Sequence, residues 1–252
     1  MNDDNDAETG WILPAHQSRS RAQRDRLLRA GEKIFAKRGF GDSHVSEIVR
    51  EANCSIGSFY RRFKDKEALF FALQADMYEQ ARVHIGRFFA NPLSEQRSLT
   101  FIFFRLVENS GNEARRIVGY YRALFEMSLR GHNVWDQMRA LEKFEAECLQ
   151  QLLSKRGHKK FPADFVDVMS FLIRTVHGSQ ISLLIHGTGP YQHNDFESTK
   201  ALARIMMREA GVEPDDREFE AIRAARVTGP AKTVPLRSGP RRLPGSKSSR
   251  SA

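Results

Sequence analysis

Read as alternating apolar and polar positions, the chain is helical from about residue 19 onward. Leu27, Ala30, Gly31, Ile34 and Phe35 recur at helical spacing with Arg and Lys on the other faces. Gly39 supplies the stop. Asp42 and Ser43 are candidate caps for a second helix, whose apolar face is Val45, Ile48, Val49 and Ala52. Asn53, Cys54 and Ser55 read as a turn, and a short third helix follows over about 56–63. Asp65 then caps a long fourth helix that buries Leu69, Leu73 and Met77 and ends before Pro92. Beyond it the spacing predicts a helix opened by Ser94 with Leu99, Ile102, Phe103 and Leu106 on its face. Others follow over 112–130, from an Asn133 cap to Arg156-Gly157, and over 163–186, closed by Gly187. Asn194 or Asp195 caps a last helix that Gly211 closes. There is no strand pattern and no internal repeat.

The second and third elements with their turn have the spacing of a helix-turn-helix. The turn needs a residue that tolerates a left-handed backbone, and Asn53 stands there. Ile56 and Phe59 are expected to anchor the third helix from its inner side, with Phe63 closing the end. Gly57 and Ser58 are small enough for close approach to a groove. Tyr60, Arg61 and Arg62 are expected to point outward, where a tyrosine hydroxyl reaches a phosphate and an Arg fork fits a guanine edge. Lys66 falls in the first turn of the fourth helix, a position that favours a phosphate.

Charge sharpens this picture. The net charge of +9 over 252 residues is unevenly spread. Residues 1–18 hold four acids and no base, and residues 19–66 hold thirteen bases against six acids. Residues 67–220 are nearly neutral, and residues 221–252 carry eight bases and no acid. A basic block on a helix-turn-helix is the footprint of a polyanionic partner.

The stretch from Gly39 to Leu69 resembles the N-terminal DNA-binding domain of the TetR family of transcriptional regulators. That family's pattern runs from Gly-Phe through Thr-Val-x-x-Ile-Ala and Ala-Gly-Val-Ser-x-Gly-Thr-Leu-Tyr to Phe-x-x-Lys-Glu-x-Leu. Gly39, Phe40, Val45, Ile48, Ala52, Ser55, Gly57, Tyr60, Phe63, Lys66, Glu67 and Leu69 match it. His44, Val49, Asn53, Cys54, Ser58 and Phe59 depart from it, and at His44 the family's Thr cap is missing, with Ser43 the candidate substitute. The resemblance implies an all-α fold of about nine helices. A three-helix head binds DNA, and a helical body binds a ligand and pairs through its last two helices into a four-helix bundle. By position, Ser46, Ile56, Gly57, Arg61 and Arg62 would lie near bases, and Ser55, Ser58, Tyr60 and Lys66 would contact phosphates.

The expected organisation is a disordered segment 1–18, the DNA-binding domain 19–66, the ligand-binding and dimerisation domain 67–212, and a mostly disordered basic tail 213–252. Pro, Gly, Ser and Lys/Arg dominate that tail from about Val227, which suits sequence-independent DNA affinity. In the body, Phe103, Tyr120, Tyr121, Phe125, Trp135 and His177 are candidates for a pocket between helices. Met169, Ile173, Gly178, Ser182, Leu202, Ile205 and Met206 are candidates for a dimer seam, because the 163–186 helix is apolar on more than one face.

Other chemistry is thinly represented. The eight histidines have no metal-ligand spacing, and the two cysteines, Cys54 and Cys148, make no disulfide framework. Cys54 reads as inert core and Cys148, beside Glu145 and Glu147, as unreactive. No Gly-x-Ser-x-Gly, P-loop or dinucleotide motif occurs, so neither enzyme nor cofactor is expected. The richest apolar run, Phe165 to His186, is interrupted by Asp167, Arg174 and His177, so no membrane partner is expected, and a cytoplasmic location follows by default. The resulting expectation is a dimeric repressor released from double-stranded operator DNA by a small apolar or aromatic ligand. An activator, a ligand-independent regulator and a non-specific architectural protein are the alternatives.

Overall fold

The computed structural model describes residues 18–186 and 189–228, and these form ten helices. They are α1 (Ser18–Arg38), α2 (Val45–Glu51), α3 (Ile56–Tyr60), α4 (Lys66–Ala90), α5 (Pro92–Gln96), α6 (Leu99–Leu129), α7 (Asp136–Lys155), α8 (Phe165–His186), α9 (Phe196–Glu209) and α10 (Asp216–Thr228). The expectations for residues 1–17, for the Gly187 stop and for the tail beyond 228 fall outside the described residues.

Two apolar cores organise these helices. The first joins α1 to α4 with the C-terminal half of α6: Phe35, Phe40, Phe59, Phe63 and Phe70 meet Tyr120, Leu124 and Met127. The second joins the far end of α4 and the N-terminal half of α6 to α7, α8, α9 and α10, through Phe89, Phe103, Phe104, Leu149, Met169, Met207 and Phe219. Among the described residues, α4 and α6 place buried side chains in both, so these two helices tie the head to the body, with Met138 of α7 and Ile181 of α8 packed against the first core.

Local chemistry sets most boundaries. Asp65 caps α4, its Oδ1 accepting from the Ala68 amide at 2.8 Å. Ser55 caps α3 in the same way, through Ser58 N. Asp195 rather than Asn194 caps α9, and Asn194 takes a left-handed φ of 56° just before it. Four other expectations are corrected. Neither Asp42 nor Ser43 caps α2; His44 holds the cap position without a side-chain bond, and Ser43 Oγ donates to Phe40 O at 2.7 Å. Asn133 does not cap α7 either, which starts after Trp135, while Asn133 Nδ2 donates to Asp136. Ser98, not Ser94, caps α6, and Ser94 Oγ donates back to Phe88 O at the end of α4.

The fourth correction is larger: the segments expected as two helices around residues 106–112 are one 31-residue helix, α6. Gly111 lies inside it because the α8–α9 connection presses on that point. A Cβ at Gly111 would stand 2.6 Å from Asn194 Oδ1, and a His193 ring nitrogen lies 2.9 Å from Gly111 O.

Gly211 closes α9 with a φ of 69°, yet it does not end the helical body. Residues assigned to the tail form α10, with Phe219 fully buried against Phe104 at 6.2 Å between ring centroids. Helix α8 is long and apolar enough to cross a bilayer by length and composition alone, contrary to the sequence expectation, but it packs against α6, α7 and α9 as a bundle helix.

Candidate nucleic-acid interface

The turn between α2 and α3 is built as its sequence demands. Asn53 adopts a φ of 51°, and Cys54 N donates to Val49 O at 2.9 Å, folding the chain back on α2. Phe59 and Phe63 are fully buried and fix α3 to the head. Ile56 does not share that inner side: it is 53% exposed and Tyr60 is 52% exposed. Ser46, Ser55, Gly57 and Arg61 are exposed beside them, and nothing lies within 4 Å of a Cβ built on Gly57. An open, small-residue ridge flanked by an aromatic hydroxyl and a guanidinium thus faces outward from a rigid base.

The other candidates are partly engaged. Ser58 is buried, with its Oγ 2.9 Å from Ser55 Oγ and accepting from Arg61 Nη2 at 3.2 Å. Arg62 is half-buried and donates to Gln23 Oε1 at 2.8 Å, which ties α1 to the end of α3. Lys66 is half-buried, and its ammonium donates to Phe40 O at 2.6 Å, Ser43 O at 2.7 Å and Gly41 O at 3.3 Å while sitting 4.4 Å over the Phe40 ring. Burial, then the nearby Arg130, push its pKa below the ordinary lysine value; Glu126 and Asp42 oppose this.

The same loop is held from α6, a contact that neither neighbourhood's residue pattern signals. Glu126 Oε2 accepts from Gly41 N at 2.6 Å, Arg122 reaches Asp42 at 3.7 Å, and Arg130 lies 5.0 Å over Phe40. Burial alone would raise the Glu126 carboxyl, but the Gly41 amide, Arg122 and the Phe40 amide overcome it and leave the pKa lowered. Arg116 bridges Glu113 on α6 and Glu32 on α1. At Gly119 the two helices touch: an added Cβ would stand 2.7 Å from Ala36 O.

In the body, a half-open cleft of about 310 Å³ lies between α6, α7 and α8. Four expected residues line it, Tyr121, Phe125, Trp135 and His177, together with Met138, Ile181 and two arginines, Arg139 and Arg174. Phe103 and Tyr120, expected in the same pocket, do not line it. Phe103 is fully buried in the second core, and Tyr120 stacks on Phe70 at 5.2 Å with its hydroxyl donating to Phe70 O. Burial lowers the His177 pKa against the pull of Glu113, so its ring is neutral near pH 7. Arg174 forks onto the buried Glu142 at 2.6 and 2.9 Å. Among the described residues no cluster of His, Cys, Asp or Glu could hold a metal ion.

The outer faces of α8 and α9 carry Phe171, Ile185 and Ile205, exposed by 62%, 63% and 50%. Ser182 is exposed there too, and Ile173 and Leu202 are half-buried. Met169 and Met206 are corrected: both are buried inside the chain and cannot line an outer seam. Gly178, expected at the same seam, lines the cleft.

Comparison with known proteins agrees with this geometry. Residues 27–73 match the model of bacterial regulatory proteins of the tetR family. YdgC of Bacillus subtilis, an uncharacterised HTH-type transcriptional regulator, is 42% identical over 66 residues, 26% of this chain and 34% of that one. NemR of Escherichia coli K12, an HTH-type transcriptional repressor, is 32% identical over 99 residues, 39% of this chain and 41% of NemR. The chain therefore spans well under half the length of these curated relatives. A tetR-family transcriptional regulator from Streptomyces coelicolor shares the fold at a TM-score of 0.60 and 17% identity, over 84% of this chain and 91% of that one. With its Gly39–Leu69 motif folded as a helix-turn-helix on an all-helical body, the chain carries over residues 27–73 a DNA-binding domain of the tetR-family type.

Proposed function

We propose that this chain is a dimeric, sequence-specific DNA-binding regulator of transcription, a repressor that a small apolar or aromatic molecule releases from its operator. The observation that carries the reading is the outward face of α3. Ile56, Gly57, Tyr60 and Arg61 stand clear of the head, while Phe59 and Phe63 lock the helix from behind. Base readout needs that combination of rigid support and free edge. Ser46 and Ser55 extend the same face. Lys66, with its ammonium already shared by three carbonyls, serves first to hold the α1–α2 loop.

The aromatic cleft is the ligand site in this proposal. Tyr121 and Phe125 wall it from α6, while Arg122 and Glu126 of the same helical turns hold the head. A molecule that prefers one setting of α6 biases the head directly. The exposed apolar side chains on α8 and α9 are the proposed dimer surface, since such a face needs a cover. A regulator of this kind works where the chromosome is, in the cytoplasm, and does no catalysis. The test is a nuclease footprint on DNA flanking the protein's own gene. Protection of a two-fold site is expected, and uniform coverage with no boundary would refute sequence-specific binding.

A further inference from the structure

The cleft between α6, α7 and α8 is charged on one side of the ledger only. Two arginines line it, Arg139 from α7 and Arg174 from α8, and no aspartate or glutamate does. The other two titratable side chains on its wall are held neutral. Burial lowers the His177 pKa against the pull of Glu113. Burial, then Tyr78, Glu142 and Glu113, raise the Tyr121 hydroxyl well above the ordinary tyrosine value. The wall therefore presents two permanent cations and no anion near pH 7.

The acids paired with these arginines lie outside the lining, and each pairing is partial. Glu142, whose side chain is buried, accepts from Arg174 Nε and Nη2 through the single oxygen Oε2. Asp136 and Asn133 accept from Arg139 Nη2. Among the described residues, Nη1 of both arginines and Nε of Arg139 meet no acceptor, and both side chains are 49% exposed. A guanidinium carries five N–H donors, and a carboxylate takes two of them side by side. Both arginines can therefore accept a second carboxylate without giving up the first.

The rest of the wall is flat and apolar. Tyr121 meets Phe125, Trp135 and His177 at 6.3, 6.4 and 5.6 Å between ring centroids, and Phe125 meets Trp135 edge-on at 5.4 Å. Trp135 Nε1 donates to Ser128 Oγ at 2.9 Å, so the indole offers the cleft a face rather than a donor. Phe125 is more than half exposed although it lines the cleft, and an occupant would cover that surface. Such rings favour a planar partner. They would also attract a cation, which the two arginines oppose. The volume of about 310 Å³ lies at the low end of the ~300–1,000 Å³ typical of ligand clefts, which suits one or two rings.

We propose that the cleft takes a small aromatic carboxylate, with its ring among Tyr121, Phe125 and Trp135 and its carboxylate on Arg139 and Arg174. This rests on the reading of the cleft as the ligand site and adds the ligand's charge to it.

The full chain is titrated by calorimetry with benzoate and 2-naphthoate, with their neutral amides, and with the cationic benzylamine and 2-naphthylmethylamine. One acid per chain is expected, bound at least ~tenfold more tightly than its amide, with the amines weaker still. Arg139→Gln is expected to cut the preference for acid over amide by at least ~threefold. Arg174→Gln is made together with Glu142→Gln, so that no buried carboxylate is left unpaired, and is expected to do the same. A preference below ~threefold in the parent chain, an amine that binds as tightly as its acid, or either variant retaining the full preference overturns the proposal. If no acid, amide or amine binds, the cleft is not a ligand site and both readings fall. If the acids bind with the expected preference yet leave affinity for the DNA flanking the protein's own gene unchanged, the carboxylate site stands and the release of DNA from this cleft falls alone.

Discussion

Replacing Gly119 by Ala tests the joint between head and body through a sign. In most helix interiors the change from Gly to Ala stabilises by about 1 kcal/mol, since Ala orders at lower entropic cost. At Gly119 the added methyl would stand 2.7 Å from Ala36 O, 2.8 Å from Ala36 Cβ and 2.9 Å from Ala36 Cα. Two of those atoms are backbone of α1, which cannot rotate aside. The helices must separate, and overpacking of this kind costs about 1–3 kcal/mol. Contact with unyielding backbone puts the cost in the upper part of that range, about 2–3 kcal/mol, so net of the ~1 kcal/mol propensity gain Gly119→Ala is expected to destabilise by ~1–2 kcal/mol. Gly86→Ala on α4 is the control: its methyl meets only Phe144 Cζ at 3.9 Å, an ordinary contact. That variant is expected to gain up to ~1 kcal/mol. Urea unfolding followed by circular dichroism reads both. The reasoning is refuted if Gly119→Ala is as stable as the parent or more so.

Lys66→Ala should cost ~1–3 kcal/mol in the same unfolding assay, because three carbonyls lose a charged donor; Arg61→Ala should stay within ~0.5 kcal/mol and instead relax base preference in competition binding. Ile205→Glu puts a charge on the exposed α9 face and should give helical monomers by sedimentation, whereas a persistent dimer would move the seam elsewhere. Glu145→Gln should stabilise the fold at pH 8 and have little effect at pH 4. Burial, then Glu142, push this carboxyl up to about 7 from an ordinary 4.5. The folded state therefore holds a proton that the unfolded state releases, and stability falls as pH rises from 4.5 through 7. A Gln variant with an unchanged pH profile would remove Glu145 from that account.

Local chemistry was readable and distant chemistry was not. The left-handed Asn53, the cap at Asp65 and the buried Phe59 and Phe63 all follow from spacing and residue type, whereas Ser55, read as part of a turn, proves to cap α3. The break expected near residue 112 does not occur, because Asn194, 83 positions on, packs against Gly111 inside one continuous helix and nothing near Gly111 marks that contact. Helix α10 escaped notice because, among its described residues, Phe219 and Ile222 alone are buried large apolar side chains. A two-residue stripe is too weak a signal beside so many charges. Met169 and Met206 fall on apolar faces that periodicity cannot divide into inner and outer. The bond from Glu126 to Gly41 joins residues 85 apart, and nothing in either neighbourhood marks it. Half-legible cases lie between: Tyr121, Phe125, Trp135 and His177 do gather at one cleft, but Arg139 and Arg174 gave no hint that they share it.

The central claim is that α3 reads base sequence from two copies of this chain at once. The most direct measurement is selection of binding sites from a pool of duplexes with a randomised core. The account predicts enrichment of an inverted repeat whose half-sites lie about one helical turn, ~34 Å, apart. Retention of the pool with no sequence enriched would contradict it.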